Sequence, residues 1–108
     1  MIIGIDIGGT KCAVIKGNLD ENGKIEIIKK IKTDTKNIKP EKALDLFCKQ
    51  IDEIADGEKI DAIGVSCGGP LDEKRGVIMS PPNLPGWDDV EIKKFLENKY
   101  HVSVSVRN

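Results

Sequence analysis

The sequence lacks any apolar run near the roughly 20 residues that a bilayer crossing requires, and no basic leader precedes its first apolar segment. It also lacks an excess of either charge, because 17 basic residues are balanced by 18 acidic ones. These absences argue against a membrane span and against a nucleic-acid or anionic-membrane partner, so we expect a cytoplasmic protein. With 108 residues, the chain suffices for one domain and is too short for a complete two-lobed enzyme.

Cysteine and histidine are also scarce. The three cysteines, Cys12, Cys48 and Cys67, are odd in number, widely spaced and without a CxxC pair. This pattern indicates neither a disulfide framework nor a zinc site, and it predicts small buried thiols. Cys67 lies among glycines, but the single histidine, His101, is remote in sequence, which disfavours a cysteine nucleophile with a neighbouring base.

Apolar segments alternate regularly with turns, which predicts an α/β domain. Three strands joined by short turns open the chain, and they must be antiparallel neighbours because a parallel pair needs a longer crossover. A helical period then runs from Pro40 to Gly57, and a second helix is predicted to begin at Asp88 or Asp89, where a carboxylate can cap free amides. The strands are predicted at residues 2–7, 12–16, 24–33, 60–66 and 102–106. The order is β-β-β-α-β-α-β, with a small hairpin turning at residues 72–76.

The sharpest local motif is Asp6-Ile7-Gly8-Gly9-Thr10-Lys11, at the end of the first strand. Two adjacent glycines let backbone amides point into one concavity and let a phosphate approach closely, and the threonine adds a hydroxyl donor. The aspartate would repel a bare phosphate but suits a hydrated Mg²⁺ that bridges phosphate oxygens. The same residues also fit an ordinary hairpin turn, and neither the Walker nor the dinucleotide fingerprint is present.

Two further polar clusters lie near predicted strand ends. Residues 64–70 end a strand at the carboxyl edge where open α/β sheets bind ligands, although a plain turn would have the same pattern. Residues 80–87 hold three prolines, and Asn83 among them offers the donor and the acceptor that suit a sugar hydroxyl. The alternative for this segment is a rigid surface loop pinned by Trp87. Asn108 follows the last strand and is directed at the same edge.

These clusters, in this order, resemble the ROK family of bacterial sugar kinases and sugar-responsive repressors. The resemblance covers essentially the whole chain and is carried by residues 4–11, 64–72 with 76–78, 82–87 and 104–108. It implies a ribonuclease-H-like, actin-like ATPase fold with a mixed five-stranded sheet, in which residues 1–108 form the N-terminal lobe and the C-terminal lobe is absent from this chain. The segment Ser66-Cys67-Gly68-Gly69-Pro70 departs from the Gly-x-Gly-x-Pro-Gly loop of many members, which leaves the identity of the sugar open.

The resemblance also implies two groups of ligand-binding residues. The positions that match the first phosphate loop, which cradles ATP with its Mg²⁺, are Asp6, Gly8, Gly9, Thr10 and Lys11, with Asp6 nearest the metal. The positions that match the sugar pocket are Gly69, Asn83 and Asn108. In the family, the general-base aspartate directly follows the last of these positions, so no catalytic residue is expected in this chain. The structural zinc site and the adenosine-binding half of the family also lie downstream.

The intact protein is therefore expected to phosphorylate a hexose or a related sugar with ATP, and by resemblance to form a homodimer. Phosphoryl transfer needs both lobes, so we expect the isolated 108-residue chain to be inactive or nearly so. Two other hypotheses stay open. One is a sugar-sensing repressor of the same family, with a DNA-binding domain ahead of Met1, and the other is a small non-catalytic binding module.

Overall fold

The computed structural model describes all 108 residues as a sheet with two helices packed on one of its faces. The five strands of the main sheet have the spatial order β3-β2-β1-β4-β7, and β5 pairs with β6 in a separate hairpin. In chain order, the elements are β1 (Ile2–Ile7), β2 (Lys11–Leu19), β3 (Ile25–Asp34), α1 (Pro40–Ala55), β4 (Ala62–Cys67), β5 (Leu71–Asp72), β6 (Val77–Ile78), α2 (Ile92–Tyr100) and β7 (Ser103–Arg107).

The strand directions confirm the predicted organisation. The first three strands form an antiparallel meander, whereas β1, β4 and β7 are mutually parallel neighbours. The turn between β2 and β3 is held by Asp20, whose carboxylate accepts the amides of Asn22 and Lys24, each at 2.8 Å. Gly23 has a φ of 78° there, the left-handed conformation that glycine adopts without strain. β2 continues to Leu19, three residues beyond its predicted end, whereas β3 keeps its predicted length and is shifted by one residue, to Ile25–Asp34.

Alternate residues of the central strands form one core. In β1, Ile3, Ile5 and Ile7 are no more than 3% exposed, and the intervening residues point to the other face. The two helices cover this buried face with Phe47 and Leu96, both fully buried. Neither helix combines the length and the apolar content that a membrane crossing requires.

The opposite face of the sheet carries small and polar side chains where β1, β4 and β7 run side by side. On this part of the sheet, Asp6 of β1 is opposite Ser66 of β4, and Ser66 is opposite Arg107 of β7. Because parallel strands end at the same edge, the loops that follow them are brought together there.

The predicted start of the second helix at Asp88 or Asp89 is wrong. The helix begins at Ile92, and no side chain caps its first turn. Asp88 instead accepts a hydrogen bond from the Ser80 hydroxyl at 2.5 Å, and Asp89 has a φ of 51°. The next residue, Val90, bridges to β6. The carboxylates thus belong to a tight connection, which the local sequence does not distinguish from a cap.

Candidate functional site

The first part of the site is the glycine turn, residues 8–10, which joins β1 to β2. The Gly8 amide donates to the Lys11 carbonyl at 3.0 Å and closes the turn. A Cβ on Gly8 would lie 2.8 Å from that carbonyl oxygen, so glycine is needed for the closure. The amides of Gly9 and Thr10 donate to no backbone or side-chain acceptor of the chain. Gly8 therefore closes the turn. The amides of Gly9 and Thr10, together with the exposed Thr10 hydroxyl, are free to donate hydrogen bonds to an anion.

The second part is the asparagine loop, residues 80–87, which its own hydrogen bonds keep closed. The Leu84 amide donates to the Pro81 carbonyl at 3.0 Å, and the Ser80 amide donates to the Trp87 carbonyl at 2.8 Å. Trp87 is fully buried and anchors the end of the loop in the core. The tip of the loop, with Asn83, stays exposed. The loop is thus anchored by Trp87, and it also exposes the side-chain amide of Asn83.

The asparagine loop lies directly against the glycine turn. A Cβ built on Gly9 would lie 2.9 Å from the Asn83 carbonyl oxygen and 3.1 Å from the Asn83 Nδ2 atom. Only a residue without a side chain permits this approach. The contact brings the side-chain amide of the loop and the free amides of the turn to one edge of the sheet.

Asn108 lies against the second glycine turn, residues 68–70, at the ends of β4 and β7. A Cβ on Gly69 would lie 3.2 Å from the Asn108 Nδ2 atom. The Asn108 amide donates to the Glu73 carboxylate at 3.3 Å, and the other oxygen of that carboxylate lies 3.7 Å from an Arg107 guanidinium nitrogen. The β5–β6 hairpin therefore supports the end of β7. Sequence reasoning missed Glu73, which is one of several charged residues in an exposed turn and carries no distinguishing pattern.

Asp6 and Lys11 lie beside the glycine turn, on the face of the sheet that the helices leave uncovered. Asp6 is opposite Ala13 in β2 and Ser66 in β4, and its exposed carboxylate forms no salt bridge. An unpaired carboxylate next to free amides fits a hydrated Mg²⁺ that accompanies a phosphate. Lys11 is exposed and pairs in register with Asp34 of β3.

All three cysteines are free and buried, which confirms the prediction of buried thiols. Burial raises the pKa of the Cys67 thiol to about 11, and the nearby Cys12 and Asp6 add to the increase. A thiol with such a pKa stays protonated near neutral pH and is a poor nucleophile. Cys67 therefore packs the base of the site and does not supply a nucleophile to it.

The largest cavity of the surface lies away from these loops, at the opposite edge of the sheet. It has a volume of about 510 Å³ and is lined by residues that precede β4 and β7, among them Tyr100 and His101. The Tyr100 hydroxyl donates to the Asp52 carboxylate at 3.0 Å, and burial raises the pKa of that hydroxyl. The hydrogen bond between Tyr100 and Asp52 thus joins α1 to α2, and we assign the cavity a structural role.

Comparison with known proteins identifies the family of the chain. Residues 2–108 match the ROK family. The chain belongs to the ROK family. Its relatives include the glucokinase of Thermotoga maritima, which is 33% identical over 99% of this chain and 33% of that protein. The chain therefore spans about a third of the length of the curated relatives that it matches.

Solved structures of ROK proteins share the fold. The ROK family glucokinase from Streptomyces griseus, in complex with glucose and AMPPNP, is 32% identical with a TM-score of 0.79, over 99% of this chain and 32% of that chain. The ROK hexokinase from Thermus thermophilus is also 32% identical with a TM-score of 0.79, over 99% of this chain and 34% of that chain. These neighbours confirm the expected ribonuclease-H-like, actin-like ATPase fold.

Proposed function

We propose that this ROK chain supplies the first phosphate loop and part of the sugar pocket of an ATP-dependent sugar kinase. The observation that carries the proposal is the contact between the glycine turn and the asparagine loop, in which a Cβ at Gly9 would lie 3.1 Å from the Asn83 amide nitrogen. Phosphoryl transfer requires the phosphate and the attacked hydroxyl to be held in line. Free backbone amides beside a side-chain amide, at one edge of the sheet, offer donors for both groups.

The glycine turn binds the phosphates of the substrate MgATP in this proposal. The amides of Gly9 and Thr10, which have no acceptor in the chain, donate to phosphate oxygens, and the Thr10 hydroxyl adds a third donor. Lys11 contributes positive charge, and Asp6 orients waters of the hydrated Mg²⁺. Donors fixed before the reaction stabilise the charge that develops on the transferred group without further reorganisation.

Asn83 and Asn108 bind sugar hydroxyls, because an amide side chain both donates and accepts as a hydroxyl does. Gly69 lets the sugar approach the backbone closely. The name of the Thermotoga maritima relative, a glucokinase, favours glucose among the hexoses. We place the general base immediately beyond Asn108, and loss of a general base removes about 10²- to 10⁴-fold in rate. The isolated chain, which also lacks the nucleotide lobe, is therefore expected to be inactive or nearly so.

The test starts with the codons that follow Asn108 in the gene, where the first is expected to encode aspartate. The product of the complete reading frame, purified and supplied with glucose and MgATP in a coupled assay, is expected to form glucose 6-phosphate or an isomer and to be a homodimer by light scattering. Asn83→Ala and Asn108→Ala should raise its KM for the sugar. Asn98→Ala, which removes an exposed amide of α2, is the matched control. Absence of turnover with every hexose and every N-acetylated amino sugar would refute the kinase.

Two outcomes separate the kinase from the other hypotheses. A repressor would bind DNA in a sugar-dependent manner without transferring phosphate, and codons upstream of Met1 would encode its DNA-binding domain. A non-catalytic module would leave the fluorescence of Trp87 unchanged in the complete protein when glucose and MgATP are added. Sustained glucose phosphorylation by the isolated 108-residue chain would contradict the assignment of the general base to a position outside it.

A further inference from the structure

A buried threonine outside the predicted loops holds the glycine turn. Thr35 directly follows β3 and is only 4% exposed. Its amide donates to the Thr10 carbonyl at 2.9 Å, and its hydroxyl donates to the Cys12 sulfur at 3.0 Å. The two acceptors lie on either side of Lys11. Thr35 therefore fixes the exit of the glycine turn with both its backbone and its side chain.

The same segment reaches the asparagine loop at its other end. The Ile38 amide donates to the Thr35 carbonyl at 3.0 Å, which closes residues 35–38 into a turn that we call the bridge turn. The Ile38 carbonyl accepts the indole N–H of Trp87 at 3.1 Å. Two residues later the buried Pro40 opens α1, and its restricted φ limits movement of the bridge turn relative to the helix.

These contacts form a closed ring that includes the glycine turn and the asparagine loop. On one side, Asn83 packs against Gly9, and on the other side the bridge turn joins Thr10 to Trp87. A loop that is held at two points cannot pivot about either one. We propose that the bridge turn sets the spacing between the glycine turn and the asparagine loop, with Thr35 as a positioning residue for phosphoryl transfer. This inference rests on the proposed kinase function.

Hydrogen exchange in the 108-residue chain tests the mechanical part of the inference without any catalysis. Thr35→Val keeps the size and the backbone amide but removes the hydroxyl donor, whereas Thr35→Ser keeps that donor. Since one hydrogen bond contributes about 0.5–1.5 kcal/mol, Thr35→Val should speed exchange of the Gly8 amide and of the Trp87 indole N–H by about 2- to 10-fold. Amides of β4 should be unaffected, and Thr35→Ser should resemble the parent chain.

A pair of cysteine variants provides a second route if the valine variant does not fold. Cys12→Ala removes the acceptor of the Thr35 hydroxyl, and Cys48→Ala removes another buried thiol on α1 that the ring does not use. Cys12→Ala should speed exchange at Gly8 and Trp87 relative to β4, and Cys48→Ala should not. Equal acceleration of all amides, or a response at Gly8 with none at Trp87, would overturn the coupling.

Kinetics of the complete protein test the catalytic part. Because a displacement of about 1 Å can cost about 10²-fold in rate, Thr35→Val should lower kcat by about tenfold while the KM for the sugar changes by less than about twofold. Thr35→Ser should restore kcat. A kcat that follows only the folded fraction of enzyme would refute a positioning role. A parent protein without kinase activity would refute the proposed function instead, and the exchange experiment would still decide whether the bridge turn couples the two loops.

Discussion

Replacing Gly9 with alanine perturbs the contact on which the candidate site depends. The new methyl would lie 2.9 Å from the Asn83 carbonyl oxygen and 3.0 Å from the Asn83 Cβ. Non-bonded carbon contacts are most favourable at about 3.5–4.0 Å, so the asparagine loop must retreat by about 0.5 Å. Gly9 is not among the residues with positive φ, so the alanine adds no backbone strain and the steric contact is tested alone.

The size of the effect follows from how far the loop can give way. Overpacking in a well-packed interior costs about 1–3 kcal/mol. Asn83 is exposed at the loop tip, which can move into solvent, so Gly9→Ala should lower the free energy of unfolding by about 1 kcal/mol, at the low end of that range. Gly68→Ala is the matched control, because no heavy atom lies within 4 Å of the Cβ that it adds. Its effect should stay within about 0.5 kcal/mol.

Urea unfolding, followed by the fluorescence of Trp87, measures both variants. With a slope of about 1–2 kcal/mol per molar urea, the midpoint for Gly9→Ala should fall by about 0.5–1 M, and that for Gly68→Ala should shift by at most half as much. NMR of the Asn83 side-chain amide should show a displaced signal in the first variant alone. If the two variants have equal midpoints and equal Asn83 signals, the close approach of loop and turn is refuted.

Two further predictions concern other parts of the fold. Gly76→Ala should destabilise the chain by at least about 2 kcal/mol in urea unfolding, because φ is 67° and the added Cβ would overlap Lys93. The control Gly23→Ala has a φ of 78° but lies in open space, so it should cost only about 1 kcal/mol. Equal costs for the two variants would contradict the predicted overlap with Lys93. Burial raises the pKa of Cys67 from 9.0 to about 11, so this thiol should react slowly with Ellman's reagent at pH 8 in the folded chain. Since the pKa of Cys67 is higher in the folded chain than in the unfolded chain, its contribution to the free energy of unfolding is complete below about pH 9 and is lost as pH rises towards 11. Urea midpoints that increase between pH 9 and 11 would contradict this contribution.

The sheet could be predicted from the sequence because its signals are local. Strict alternation in residues 102–106 and the short turns among the first three strands leave few possible pairings. The helical stripe of α1 is also explicit, and Phe47 and Ile51 on it are fully buried. The start of α2 could not be predicted, since aspartate is a common helix cap and the actual partner of Asp88 is Ser80, eight residues earlier in the chain.

The composition of each site loop was also visible in the sequence, but the relations between the loops were not. Gly9 and Asn83 are far apart along the chain, and no local pattern indicates that one needs to be glycine because the other packs on it. Thr35 follows an exposed edge strand and precedes a helix, so its sequence context is that of an ordinary connection. Its burial and its bond to the Thr10 carbonyl arise only from tertiary packing.

Topology and packing therefore determine different properties of the site. The parallel arrangement of β1, β4 and β7 fixes which loops share an edge, and this follows from strand order whatever the side chains are. The spacing between the loops at that edge depends on a few contacts. Gly9 packs against Asn83, and the bridge turn, residues 35–38, accepts a hydrogen bond from Trp87 at the end of the asparagine loop. Substitutions that preserve the strands but alter these contacts should leave a folded protein with altered geometry at the site. Loss of function without loss of fold is thus expected at Gly9 and Thr35 as well as at the ligand-binding side chains.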